Sequence, residues 1–183
     1  TFGLSPSCDF SGDVFRENNG ELTLILNGNV IPTYSYNLSF IKNIIAVSSI
    51  AITIGLEWSD LNEQILSFKP PKGRCNVINK NNFTIIDDTY NANLTSSLAS
   101  LDYLKAFSEN GRKIFVFGDM YELGESTKKQ HREVGIKCSE LGLDLVYTLG
   151  DHSQHANSVI EKKIRNQHFS SKEKLMMTLK NEI

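Results

Sequence analysis

Strand-like and helical segments alternate through the second half of the chain. Runs of β-branched and aromatic residues are followed by runs in which apolar residues recur with helical spacing. In chain order, the segments are strands at 85–88, 112–118 and 144–150 and helices at about 94–107, 126–141, 153–165 and 171–182. Strands joined by helices of this length form parallel βαβ units with right-handed crossovers. The sequence therefore predicts an α/β fold, a Rossmann-like three-layer sandwich with a mainly parallel sheet.

The first half begins differently, with an antiparallel hairpin. Asn27 and Gly28 lie between two β-type runs, and this dipeptide is the strongest short-range signal for a hairpin turn. A helix over about 41–54 is predicted next, followed by a shorter helix that Ser59 caps. Together, the hairpin and the two helices predict that the first half is built differently from the second.

A linker separates the two halves. The segment "KPPKGR" (69–74) holds two prolines and a glycine, which do not continue a helix. We therefore predict two domains, residues 1–73 and residues 74–183. In the second, "CNVINKNNFTIIDD" (75–88) predicts two strands around an Asn-rich turn, and Ser170 with Glu173 predicts a capping box for the last helix.

Composition and charge argue against several classes of partner. The net charge of -2 provides no electrostatic footprint for nucleic acid or an anionic membrane surface. The most apolar window, residues 44–56, is shorter than the roughly 20 residues that span a bilayer. Cys8, Cys75 and Cys138 are an odd, scattered set, which is typical of buried reduced thiols in a cytoplasmic protein.

Polar side chains cluster directly after three of the predicted strands. "IIDDTYNANLTSS" (85–97) and "FGDMYELG" (117–124) place carboxylates and amides where open α/β folds bind ligands. Asp87 and Asp88 point to opposite faces of a strand, so a paired acid–base role is not expected. Asp119 and Glu122 could bind a cationic amine, bind a metal ion or cap helix N–H groups, and these three alternatives stay open.

The loop after the third predicted strand is also polar. In "GDHSQH" (150–155), Asp151, His152 and His155 are compatible with metal ligation, but the sequence favours a solvated helix start, because no further ligands lie nearby. Neither G-x-G-x-x-G nor G-x-x-x-x-G-K-[ST] occurs, so the chain has no phosphate-cradling loop of its own.

Three linked motifs point to a family. "DDTYNAN" (87–93), "GDMYELG" (118–124) and "HREVG" (131–135), in this order and spacing, closely resemble the carboxyl-terminal domain of the Mur ligases. The resemblance is to the branch that joins D-alanyl-D-alanine to UDP-N-acetylmuramoyl-tripeptide. It implies an ATP-dependent amide ligase of peptidoglycan synthesis that uses ATP and Mg²⁺ and proceeds through an acyl phosphate.

The resemblance also implies roles for individual residues. Arg74 and Asp88 are expected to reach the nucleotide, with Asp88 at the ribose hydroxyls. Asn91 and Asn93 are expected to face the dipeptide, with Asn93 favoured. Asn43 is the remaining candidate for an adenine contact, because Ser39 and Phe40 stand where the family places a histidine and an asparagine.

Tyr90, Asp119 and Glu122 are expected to take part in loop closure. The resemblance implies that residues 1–73 are the end of a central ATP-binding domain. No catalytic residue or metal ligand is assigned to this chain, because the resemblance places the phosphate-binding loop before residue 1 and a final strand after residue 183. The chain alone is therefore expected to be inactive.

Two alternatives stay open. A sibling Mur ligase would add a different amino acid with the same chemistry. A receiver-like signalling domain would use an acidic pair at a strand end, with Asp151 as the phosphorylated residue, but such domains also need a lysine about 50 residues later, and only 32 residues follow Asp151.

Overall fold

The protein is described by a computed structural model that covers residues 1–18, 21–35, 37–107 and 111–183. The chain divides into two compact units, Thr1–Pro70 and Pro71–Ile183. The division falls between the two prolines of the "KPPKGR" segment, where proline restricts the backbone and removes hydrogen-bond donors. The assignment of residues 1–73 to a central ATP-binding domain stays a prediction.

The first unit packs two helices against a sheet whose described strands follow the order β1-β2-β3-β4. Its elements are β1 (Phe2–Gly3), β2 (Phe10–Arg16), β3 (Leu22–Leu26), β4 (Asn29–Ser35), α1 (Leu38–Thr53) and α2 (Trp58–Ser67). The predicted hairpin is confirmed: β3 and β4 are antiparallel, and the turn residues Asn27 and Gly28 both have positive φ, at 46° and 80°. Positive φ at both positions is what a two-residue hairpin turn requires.

The core of the first unit follows from the two periodicities. Leu22, Leu24 and Leu26 alternate along β3 and are buried, whereas α1 buries Ile41 and Ile45 one turn apart. The predicted start of α1 was late by about three residues, because Asn37 caps it by accepting the Ser39 N–H at 2.8 Å. The predicted cap of α2 was wrong, since Ser59 lies inside the helix.

The second unit is an α/β sandwich. Its elements are β5 (Asn76–Asn79), β6 (Thr84–Asp87), α3 (Leu94–Ala106), β7 (Ile114–Phe117), a 3-10 turn (Gly124–Ser126), α4 (Thr127–Leu141), β8 (Leu145–Leu149), α5 (Gln154–Asn157), β9 (Arg165–Phe169) and α6 (Lys172–Lys180). Within the described ranges, β7, β8 and β9 form a parallel sheet in that order, and β5 pairs with β6 as an antiparallel hairpin. The predicted fold class is confirmed.

Helices cover both faces of the parallel sheet. Val146 of β8 packs in one cluster with Leu101 of α3 and Val134 of α4. Its neighbour Tyr147 points the other way and packs with Leu175 of α6. Adjacent strand residues point to opposite faces, so one strand contributes to two cores and the unit has three layers.

Two predictions near the carboxyl end are wrong: one helix and one helix cap. The helix predicted at about 153–165 is only the four-residue α5, and β9 follows it and pairs in parallel with β8. The cap of α6 is Ser171 and not Ser170: the Ser171 hydroxyl accepts the Lys174 N–H and donates to Glu173 at 2.6 Å.

Two global properties bear on chemistry. Among the described residues, none of the helices combines the length and apolar character needed to cross a bilayer. The three cysteines are thiols, and burial raises the pKa of the Cys138 thiol to about 12, which makes it a poor nucleophile.

Candidate functional site

Three loops leave the carboxyl ends of strands in the second unit. The Asp88 loop (88–93) follows β6, the Asp119 loop (118–123) follows β7 and the Gly150 loop (150–153) follows β8. Open α/β folds bind their ligands at this end of the strands. The candidate side chains of the second unit lie in these loops, apart from Arg74 and His155.

The segment that leaves the linker is fastened to the Asp88 loop. The Tyr90 N–H donates to the Gly73 carbonyl at 3.0 Å, and the Cys75 N–H donates to Asp88 Oδ1 at 3.1 Å. The second Asp88 oxygen accepts the hydroxyl of Ser100 on α3. The Asp88 carboxylate therefore ties together the linker exit, the loop and the helix.

Arg74 lies between these two bonds and stacks on Tyr90. Its guanidinium carbon is 4.1 Å from the centre of the Tyr90 ring, which is within the range of a cation–π contact. The structure thus brings Arg74, Asp88 and Tyr90 together.

Asn43 lies exposed on α1 in the first unit, and its adenine contact stays a prediction.

The two asparagine side chains of the Asp88 loop are used locally. Asn91 Oδ1 accepts the N–H of Ala92 at 2.9 Å. Asn93 is the N-cap of α3: its Oδ1 accepts the Ser96 N–H at 2.9 Å, and the Ser96 hydroxyl accepts the Asn93 N–H at 3.1 Å. This reciprocal pair is a capping box, so Asn93 has an architectural role whatever else it contacts.

We expect Asn93→Ala to lower the free energy of unfolding of the second unit by about 1 kcal/mol, because α3 loses its cap. Asn93→Ser keeps an acceptor at this position and is expected to lose only a small part of that free energy. Urea unfolding followed by amide hydrogen exchange in α3 measures both. Asn91→Ala is the matched control, since Asn91 does not cap the helix. Equal losses for Asn93→Ser and Asn93→Ala would contradict the capping role.

Asp119 joins two loops. Its carboxylate accepts the backbone N–H groups of Asp151, His152 and Ser153 at 2.8, 3.0 and 2.7 Å. Partial burial by itself would raise the pKa of Asp119, but these three donors outweigh it and hold the pKa below its usual value. Of the alternatives that the sequence left open, the structure favours N–H capping, although the N–H groups belong to the next loop.

Gly150 permits this close approach. Its φ is +125°, and an added Cβ would lie 2.5 Å from the Asp119 carboxylate. Any side chain at this position would therefore push the Asp119 carboxylate away from its three donors.

His131 braces the Asp119 loop from within α4. Its side chain is fully buried; Nε2 accepts the Met120 N–H at 3.1 Å, and Nδ1 lies 2.7 Å from the Thr127 carbonyl. Because Nε2 accepts, Nδ1 carries the proton, and both nitrogens of a neutral imidazole are satisfied. Burial lowers the pKa of His131 and outweighs the bond to Thr127 and the charge of Asp119, which raise it.

The Asp119 loop also contacts the start of α3. Met120 is buried in the same cluster as Ala92 and Leu94, and its sulfur accepts the Ser97 hydroxyl at 3.7 Å. The Asp88 and Asp119 loops therefore share one core. On the outer side, Tyr121 is exposed and Glu122 is exposed with φ of +62°.

The histidines of the "GDHSQH" segment do not assemble a metal centre. His152 stacks obliquely on His131 with ring centres 6.0 Å apart. Within the described ranges, no group of three or more His, Cys, Asp or Glu side chains is placed to hold a metal ion.

The family follows from comparison with known proteins. A family model described as "Mur ligase, glutamate ligase domain" matches residues 73–182. The chain belongs to the Mur ligase family. The resemblance carried by the three motifs is confirmed, and the receiver-like alternative is set aside.

Individual relatives cover most or all of the chain. The UDP-N-acetylmuramoyl-tripeptide–D-alanyl-D-alanine ligase of Synechocystis sp. is 34% identical over 185 residues, 100% of this chain and 39% of the relative. The ligase of the same name from Haemophilus influenzae is 34% identical over 74% of this chain and 29% of its own length.

Solved structures agree. MurF from Acinetobacter baumannii has a TM-score of 0.86 at 26% identity, over 98% of this chain and 39% of that protein. MurF ligase from Thermotoga maritima, solved in complex with ADP, has a TM-score of 0.75 at 28% identity, over 96% and 40%. The chain therefore spans between 29% and 40% of the length of these four relatives.

Proposed function

We propose that this chain is the carboxyl-terminal part of an ATP-dependent ligase that joins D-alanyl-D-alanine to UDP-N-acetylmuramoyl-tripeptide in the cytoplasm. The observation that carries this proposal is the match of the Synechocystis ligase of that name across the whole chain. The ADP complex of the Thermotoga relative supports a nucleotide substrate.

The proposed reaction needs an activated carboxylate. ATP transfers its terminal phosphoryl group to the terminal carboxylate of the tripeptide, and ADP leaves. The dipeptide amine then attacks the acyl phosphate, loses a proton and expels phosphate as the amide bond forms. Positive charge beside the phosphates stabilises the charge that develops in such a transfer. In this chain, we propose that Arg74 supplies a guanidinium on the nucleotide side.

Asp88 is proposed to accept the ribose hydroxyls. Each of its carboxylate oxygens has more than one lone pair, so the bonds from Cys75 and Ser100 leave acceptor capacity for a ligand. Those internal bonds also hold the carboxylate in one orientation beside Arg74.

Asn91 and Asn93 are proposed to face the dipeptide through their Nδ2 groups, because each Oδ1 already accepts a backbone N–H. Amide N–H groups suit the dipeptide carboxylate. Tyr90, Asp119 and Glu122 are proposed to take part in loop closure, and Asn43 to contact the adenine.

Mg²⁺ supplies charge neutralisation in phosphoryl transfer when it is bound. The described residues hold no carboxylate cluster that fits it. We propose that most of its ligands, and the phosphate-binding loop, belong to the rest of the ligase, since the chain spans between 29% and 40% of its four relatives.

The test is the substrate specificity of the full-length ligase that contains this chain. Phosphate release and product mass are measured with ATP, UDP-N-acetylmuramoyl-tripeptide and a panel of amines. D-alanyl-D-alanine is expected to be used at least about a hundredfold better than any single amino acid, since a site that pairs with a dipeptide leaves polar groups unpaired with shorter amines. Comparable use of a single amino acid would instead identify a sibling ligase. The isolated chain, proposed to be inactive, is the negative control.

A further inference from the structure

We propose that Tyr90 is a positioning residue that holds the Arg74 guanidinium ready for the phosphates of a nucleoside triphosphate. This inference rests on the proposed nucleotide role of Arg74. The central observation is the stack itself: the guanidinium carbon lies 4.1 Å from the ring centre, although both side chains are exposed, Tyr90 by 67%. The ring therefore contributes little to the core of the unit.

The backbone around the stack is built for this contact. Gly73 is buried with φ of +77°, and a Cβ added there would lie 2.9 Å from the Tyr90 nitrogen. The Tyr90 N–H bond to the Gly73 carbonyl needs this close approach. On the other side of Arg74, Cys75 is tied to Asp88 and has a φ of +52°.

These bonds fix the backbone on both sides of Arg74 and leave its long side chain as the mobile part. A flexible side chain loses rotamer freedom when it binds a phosphate. Stacking on Tyr90 removes part of that freedom before the ligand arrives, so less is lost on binding.

The geometry of stacking suits an anionic ligand. A guanidinium packed by its face keeps its N–H groups in the plane of the fork, where they can still donate to two oxygens of a phosphate. An ammonium group lacks both the flat face and the fork. The stack therefore orients Arg74 without using the donors that a phosphate needs.

The experiment is a double-mutant cycle in the full-length ligase, with steady-state constants for ATP and for D-alanyl-D-alanine. Tyr90→Leu is expected to raise KM for ATP by about two- to five-fold, which corresponds to an exposed cation–π contact. KM for the dipeptide is expected to change much less. Tyr90→Phe keeps the ring and is expected to retain the wild-type KM for ATP. In an Arg74→Ala background, Tyr90→Leu is expected to add nothing.

Tyr121→Leu is the matched control, since Tyr121 is an exposed tyrosine of the neighbouring Asp119 loop and the described residues place no guanidinium over its ring. It is expected to leave KM for ATP unchanged. A second measurement does not depend on activity: the Arg74 Nε–H resonance of the chain should show a ring-current shift that Tyr90→Leu removes and Tyr90→Phe retains.

Each contrary outcome has one meaning. If Tyr90→Leu raises KM for ATP equally with and without Arg74, Tyr90 contacts the nucleotide itself and the positioning role is wrong. If Tyr90→Phe behaves like Tyr90→Leu, the hydroxyl matters and stacking is wrong. If Arg74→Ala leaves KM for ATP unchanged while the ring-current shift is present, the proposed nucleotide role of Arg74 fails and the positioning role fails with it. A raised KM in Arg74→Ala together with an unchanged KM in Tyr90→Leu overturns the positioning role alone.

Discussion

Gly135→Ala is expected to lower the free energy of unfolding of the second unit by about 2–3 kcal/mol. Gly135 lies in the middle of α4, where alanine would by itself favour the helix by about 1 kcal/mol. The opposing effect is larger, because a Cβ at this position would lie 2.2 Å from the Ala156 carbonyl oxygen and 2.7 Å from Val159 Cγ2. A backbone carbonyl cannot rotate away, so α4 and α5 must separate.

The measurement is urea unfolding of the chain, with amide hydrogen exchange in α4 and β8 as the probe of the second unit. Gly118→Ala is the matched control, because its Cβ meets nothing within 4 Å and its φ is not in the left-handed region. It is expected to change stability by less than about 1 kcal/mol. A Gly135→Ala variant as stable as the control would show that α5 moves freely over α4.

The sequence predicted the elements whose signals are local. The hairpin turn at Asn27 and Gly28 and the end of α4 at Gly142 are positions where positive φ favours a few residue types, and the structure has positive φ at all three. The parallel strands β7 and β8 are runs of mostly apolar residues, and β8 is buried on both faces.

β9 was missed because its own residues do not favour a strand. The segment "RNQHF" holds no β-branched residue, and only Phe169 is fully buried. Pairing with β8 decides its conformation, so tertiary context overrides local propensity. The preceding residues carry helical spacing, which explains why a helix was predicted across the region.

The candidate site also combines local contacts with contacts between residues far apart in the sequence. The cap at Asn93 is local, since Ser96 stands three residues later, and such a box can be read from a sequence. The bonds from Asp119 to the Gly150 loop span more than 30 residues, and the stack of Arg74 on Tyr90 spans 16. No spacing rule predicts contacts of that separation; the positive φ of Gly150 and Gly73 marks them only once the structure is known.

His131→Phe is expected to lower the free energy of unfolding of the second unit by about 2–4 kcal/mol at pH 7.5. The phenyl ring is slightly larger than the imidazole, so it fills the site and keeps a ring in contact with Phe117. It leaves two polar backbone groups, the Met120 N–H and the Thr127 carbonyl, without the partners they have in the wild type. A buried polar group without a partner costs its desolvation free energy, and two such groups set the expected size.

The same residue predicts a pH dependence with a definite sign. The pKa of His131 is lowered in the folded chain from its ordinary value of 6.5, chiefly by burial. Below pH 6.5 the unfolded chain therefore binds a proton that the folded chain does not. The free energy of unfolding falls as the pH is lowered, until the folded pKa is passed. Above pH 6.5 the stabilisation is fully present. Protonation of Nε2 also removes the acceptor of the Met120 N–H, which loosens the Asp119 loop.

The wild type is therefore expected to lose more stability than His131→Phe between pH 7.5 and pH 5.5, so that the difference between them narrows as the pH falls. Urea unfolding at both pH values measures this, with hydrogen exchange at the Met120 amide as the local probe. His152→Gln and His155→Gln are the controls, because these side chains are less buried than His131 and both act on it electrostatically. In both controls the acid loss should persist. A constant difference between wild type and His131→Phe across this range would mean that another group titrates, and that the neutral imidazole does not control the acid stability of the Asp119 loop.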